Sequence, residues 1–110
     1  MILAILPDAS KAETLLNNLS EADFNISDVS VVMQDVATRD KIAKDTGPLK
    51  GTKPAQLAHN LKDAAIAPAL AQQCSDAVKS GKVLVAMKVD PQYEQAAREM
   101  FTDMSAEIVQ

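Results

Sequence analysis

The chain has one cysteine, one histidine, three glycines and no tryptophan, and only 3% of its 110 residues are aromatic. Each scarcity excludes something. A single thiol cannot build an internal disulfide framework and points to a reducing compartment. One His and one Cys cannot make a His- or Cys-rich metal centre. The carboxylates are scattered, with neither an H-E-x-x-H nor an EF-hand spacing, so no metal and no cofactor is expected. Phe24, Tyr93 and Phe101 are the only aromatics, too few for a base-stacking platform. A net charge of −4 argues against a broad electrostatic grip on nucleic acid. Apolar runs are short, such as Met1–Leu6 and Val83–Met87, whereas a membrane span needs about 20 residues. No basic stretch precedes the first run, so a secretory signal is not expected, and the expected location is the cytoplasm.

What is present is 47% hydrophobic residues, supplied by Val, Ile, Leu, Ala and Met rather than by rings. A chain of this length reads as a single domain over residues 1–110, able to bury roughly 65% of its unfolded surface around one core. Met1–Leu6 is continuous in apolar residues and stops at Pro7-Asp8, the pattern of a strand buried on both faces. Ser10 and Glu13 form an S-x-x-E capping box, and Ala12, Leu15, Leu16 and Leu19 follow at helical spacing, so a first helix is predicted over Lys11–Leu19. Asp28–Met33 is alternating and β-branched, a second strand.

Residues 35–80 read as an insert. Its first part, Asp35–Lys53, is polar and punctuated by Gly47-Pro48 and Gly51, with a short helix around Thr38–Lys44. Pro54 suits a first helical turn, and Leu57, Leu61, Ala64 and Ala65 make a narrow apolar stripe. Pro68 must kink that helix, end it or start another. Leu70, Cys74, Ala77 and Val78 continue at 3.6 spacing to Gly81, a C-cap residue. The insert thus holds one or two helices. Lys82–Val89 is a third strand. Asp90-Pro91 is a capping pair ahead of a helix whose buried stripe is Tyr93, Ala96, Ala97, Met100, Phe101 and Met104. Ala106–Val109 closes the series as a short fourth strand.

Two βαβ outlines separated by an insert suit an α+β, ferredoxin-like split βαβ sandwich with a helical insert between the second and third strands. The continuous apolar runs fall on the first and third strands, which are central in that arrangement. The alternative is an α/β doubly wound parallel sheet. Either way the central strands are apolar on both faces: Ile2, Ala4 and Leu6 against Leu3 and Ile5, and Val83, Val85, Met87 and Val89 against Leu84 and Ala86. Two helices cover one face only. The insert, a second subunit or a ligand must cover the other, which makes a homodimer a natural expectation.

Charge is unevenly placed. Arg39, Lys41, Lys44, Lys50, Lys53 and Lys62 against Asp40 and Asp45 give +4 between residues 39 and 62, and the rest of the chain carries −8. A basic insert on an acidic body suits an anionic small molecule or an acidic protein partner. Lys50, Lys53, His59 and Lys62 are the candidate contacts. The stretch Gly47–Lys53 is no Walker loop. Its glycines stand four apart and Pro54, which has no N–H, follows Lys53. His59 is expected to point sideways or outward, since its neighbours Leu57 and Leu61 hold the stripe. Cys74 lies in the apolar row and is expected to be buried and inert. Along one helix the two stand about 22 Å apart and meet only if Pro68 folds the segment back. No catalytic residue is assigned; the alternative of a small enzyme with a cleft between sheet and insert would use His59, or Asp35, as its base.

The segment from Ala65 through Val89 resembles the bacterial general stress protein domain, the heat-induced stress protein family. Pro68, Ala71, Val78, Gly81 and Leu84-Val85 match its spacing in order, and Phe24-Asn-Ile-Ser-Asp-Val-Ser-Val-Val-Met33 is similar to its earlier strand. Ala65 stands near the Gly of that pattern and Cys74 near its usual Tyr. The matched positions are packing positions. The resemblance implies a bacterial, cytoplasmic context and a stress-response role, and it assigns no residue a chemical task. The residues themselves read as a non-enzymatic association or regulatory domain that self-dimerises and binds through the basic insert.

Overall fold

The computed structural model describes the whole chain, Met1–Gln110, as a mixed α and β fold. The elements run β1 (Ile2–Leu6), α1 (Ala9–Glu21), β2 (Val29–Val32), α2 (Val36–Ile42), α3 (Leu57–Asp63), α4 (Pro68–Lys79), β3 (Val83–Met87), α5 (Glu94–Asp103) and β4 (Glu107–Ile108). The four strands form one sheet in the order β2-β3-β1-β4. Every neighbouring pair is antiparallel, with Ile2 opposite Met87, Val29 opposite Met87 and Ala4 opposite Ile108. That removes the parallel doubly wound alternative. The two continuous apolar strands are the central ones, and every residue of β1 and β3 is buried.

Side-chain alternation divides these strands between two cores. On one face Ile2, Ala4, Leu6, Val31, Val85 and Met87 pack under α1 and α5, with Leu15, Leu19 and Phe101 between them. On the other, Leu3, Ile5, Val32, Leu84 and Ala86 pack under the insert, against Leu57 and Leu61 of α3 and Cys74 and Val78 of α4. The insert is therefore the cover of the second face. A sheet-face homodimer is not needed to bury it.

Several local expectations shift. The cap of α1 is Asp8, whose Oδ1 accepts from the Lys11 backbone N–H at 2.8 Å, so Ser10 lies inside the first turn. Pro7 has no N–H, the strand stops there, and Asp8 is the first side chain placed to cap. The helix expected around Thr38–Lys44 begins earlier, as α2, capped by Asp35 through the Thr38 N–H and hydroxyl, and with α3 and α4 distinct the insert holds three helices rather than one or two. Of the three roles open to Pro68, the structure selects a new helix, with Pro at its start. Asp90 makes no side-chain cap, and Pro91–Tyr93 form a single 3₁₀ turn ahead of α5. That rotates Tyr93 (53% exposed) out of the core, where its ring meets the edge of Phe24 at 6.4 Å between centroids, while Ala97 and Phe101 remain fully buried.

Candidate functional site

The sheet ends on β2 and β4, and the loop after α2 is bolted to the first half of the β2 edge. Ser30, buried on β2, donates through Oγ to the Thr46 carbonyl at 2.6 Å and accepts from the Leu49 N–H at 2.8 Å. Thr46 Oγ1 donates back to the Val29 carbonyl at 2.9 Å. Leu49 is then seated in the second core. Gly47 makes this approach possible. Its φ is +81°, and an added Cβ would lie 2.5 Å from both Ser30 Oγ and the Val29 carbonyl carbon. Further along, Asp45 Oδ1 accepts from the Gly51 N–H at 2.9 Å, and Asn60 of α3 donates to Thr52 Oγ1 at 2.9 Å. The basic loop is thus a built element rather than a solvated excursion.

Beyond the bolted half, a cleft of about 350 Å³ opens between Val31 and Val32 of β2 with Met33 after them, Val36 and Arg39 of α2, and the Gly51–Pro54 segment. That is within the range of small-ligand sites. Its cations are Arg39 and Lys53 and its one carboxylate is Asp45. Arg39 is held in place, its side chain 19% exposed, with Nη2 2.9 Å from Asp40 Oδ1 and Nη1 3.8 Å from Asp45 Oδ1. The second contact is too long for a hydrogen bond, so the guanidinium keeps donors for another acceptor. Val36, 47% exposed, is one of two large apolar side chains left in solvent, and it stands at this cleft. A wider depression of about 500 Å³ lies beyond α2, flanked by Lys41 and Lys44. Neither lysine makes an ion pair.

The four candidate contacts do not converge. Lys53 lines the cleft; Lys50, His59 and Lys62 are exposed and line none of the principal depressions. His59 points out from α3, its side chain 78% exposed, and meets Asp63 one turn on at 3.2 Å. Asp35, the other base considered, is an exposed helix cap. The hydroxyl hydrogen bond from Thr38, then that residue's backbone N–H, hold its carboxyl below the ordinary range, which suits a cap and not a proton acceptor. Cys74 is fully buried in the second core. Burial, with a smaller push from Glu107, raises its thiol to about 11, so it presents almost no thiolate at neutral pH. No group of three or more His, Cys, Asp or Glu side chains is placed to hold a metal ion, and no helix is long and apolar enough to cross a membrane.

Arg39 is the residue that sequence reasoning counted but did not single out. Its charge is visible in the sequence. Its place in a cleft depends on the loop's return to β2, which sets Gly51–Pro54 across from it, and that return is not a local signal. No family model, no curated protein and no solved structure matches this chain.

Proposed function

We propose that this chain is a non-enzymatic association domain that holds an anionic ligand, or an acidic group of a partner protein, in the cleft beside β2. The observation that carries this reading is the pairing of a positioned guanidinium, Arg39, with a free ammonium, Lys53, in a cleft with apolar walls. Arg offers a rigid fork to a carboxylate or phosphate, and Lys adds a mobile point charge. His59 is exposed and lines none of the three principal depressions, which favours binding over an enzymatic base at that residue. We read the scaffold as a ferredoxin-like split βαβ sandwich with a helical insert. The strand order, the antiparallel pairing and the placement of α1 and α5 on one face support that reading. A stress-related, cytoplasmic role is supported by the resemblance at Pro68, Ala71, Val78, Gly81 and Leu84-Val85, which are packing positions. Self-association through the second sheet face is disfavoured, since α3 and α4 occupy it.

The test is a heteronuclear NMR titration of the full chain with inorganic phosphate and with glutarate. Saturable shifts are expected at Arg39, Gly51, Thr52 and Lys53. Lys53→Glu should remove them and Lys50→Glu should leave them. Equal, unsaturable shifts at Lys41, Lys44, Lys50 and Lys62 would reduce the insert to a screened basic surface and overturn the reading.

A further inference from the structure

We infer that the occupant of this cleft is an extended peptide segment carrying an acidic side chain, added as a strand along the open half of β2; this rests on the reading just given. Direction on an antiparallel ladder alternates residue by residue. The Lys88 N–H donates to the Asp28 carbonyl at 3.0 Å, and Ser30 and Val32 stand opposite Ala86 and Leu84. Residues 28, 30 and 32 therefore turn their backbone groups toward β3, and 29 and 31 turn theirs to the free edge. The Val29 carbonyl agrees with that direction, since it accepts from Thr46 of the docked loop. Val31 lies one step further. Its outward N–H and C=O take part in no hydrogen bond within the chain, and the residue, 4% exposed, lines the cleft.

A backbone donor and acceptor pair on the wall of an otherwise sheltered cleft needs partners. An extended peptide supplies both at the spacing a ladder requires, which is how sheet edges recruit segments of other proteins. The loop at Thr46–Gly47 already occupies the edge beside Val29, so the added strand is short and its register is fixed by that stop. The walls select the side chains. The exposed Val36 side chain offers apolar contact, and Arg39 with Lys53 matches one carboxylate by charge. A free anion would satisfy the two cations and leave the Val31 groups without a match. A peptide satisfies both sets.

The experiment uses the full chain and the blocked peptide acetyl-Val-Glu-Val-amide. On saturation, exchange of the Val31 amide hydrogen is expected to slow at least tenfold. The Gln analogue should bind about tenfold more weakly, the scale of a charge-assisted hydrogen bond. A peptide N-methylated at its central amide should lose binding while keeping its charge. Lys53→Glu, a surface change, should weaken the Glu peptide and not the Gln one. If the peptide binds through Lys53 and Val31 exchange is unmoved, strand addition is wrong and the anion reading survives. Glutarate binding without peptide binding has the same consequence. If none of these probes binds, both readings fall.

Discussion

The two faces of the sheet are closed by different means. The first lies under α1 and α5, each following a central strand, and Leu15, Leu19 and Phe101 fill the space they leave. The second lies under α3 and α4 of the insert, and α3 is only seven residues long. Helices of that length have little stability of their own. They persist because Leu57, Leu61, Cys74 and Val78 are buried against Leu3, Ile5 and Leu84, and because Ser30, Thr46 and Gly47 fasten the loop to β2. One face is thus held by apolar packing of regular elements, the other by packing plus a polar latch. The cleft sits beside the latch, so the more conditional half of the molecule carries the site.

The comparison can be broken most severely from the regular side. Met87 is 1% exposed in the α1/α5 core. Met87→Asp forces a charge with no partner into that core, and circular dichroism should find the chain unfolded at about 25 °C. A folded variant would show that this core tolerates what a close-packed interior does not. From the insert side, Leu61→Ala should cost about 2–5 kcal/mol, read from urea midpoints. Its more telling signature is Cys74. With its thiol raised to about 11 and fully buried, the native chain should react with a thiol reagent only when the insert opens. Leu61→Ala should accelerate labelling more than an equally destabilising Leu15→Ala on the other face. Equal acceleration would mean that the two faces open together and the contrast between them is only architectural.

The latch is next in size. Gly47→Ala places a Cβ 2.5 Å from the Val29 carbonyl carbon and 2.7 Å from the Ser30 nitrogen, backbone atoms that cannot step aside, at a φ of +81°. A loss of about 2 kcal/mol is expected, together with loss of anion shifts at Lys53. Gly51→Ala shares the positive φ but meets no atom within 4 Å, so it should cost less and leave the cleft formed. If both variants behave alike, the close approach at Gly47 is not what holds the loop.

The strand order β2-β3-β1-β4 agrees with where the continuous apolar runs fall in the sequence, because burial on both sides and central position are the same requirement. Pro7, Pro68 and Gly81 also mark true boundaries. The site is less legible. Lys53 stands out as a charge, but Lys50, His59 and Lys62 carry the same signal and lie elsewhere. What separates Lys53 and Arg39 from them is the return of the loop to Ser30, a contact nineteen residues distant at Leu49 that no periodicity encodes. Helix ends show the same limit. Gly81 announces its cap, yet Asp23, Ala65 and Ser105 adopt the same left-handed turn, with φ of 67°, 66° and 61°, and nothing in their identities says so.

Those three ends supply the mildest test, and its sign is opposite to the rest. After α3 the Ile66 N–H bonds to the Leu61 carbonyl and the Ala65 N–H to that of Lys62, the paired closure of a Schellman turn. After α4 the Lys82 and Gly81 N–H groups close onto Ala77 and Val78 in the same pattern. The hydrogen bonding is equivalent, so the difference between the two ends is the Cβ at residue 65. A left-handed conformation costs a non-glycine residue roughly 1–2 kcal/mol, partly offset by the greater freedom glycine has when unfolded. Ala65→Gly should therefore stabilise the chain by about 1 kcal/mol, and Gly81→Ala should destabilise it by a similar amount. Both are read as shifts of the urea midpoint at constant slope. Because α3 covers the second face, the gain from Ala65→Gly should also slow labelling of Cys74, while an equal gain from Ser105→Gly, at the end of α5, should not. Slower labelling from both would tie the two ends to one cooperative opening, and the insert would then be no more conditional than the face built from α1 and α5.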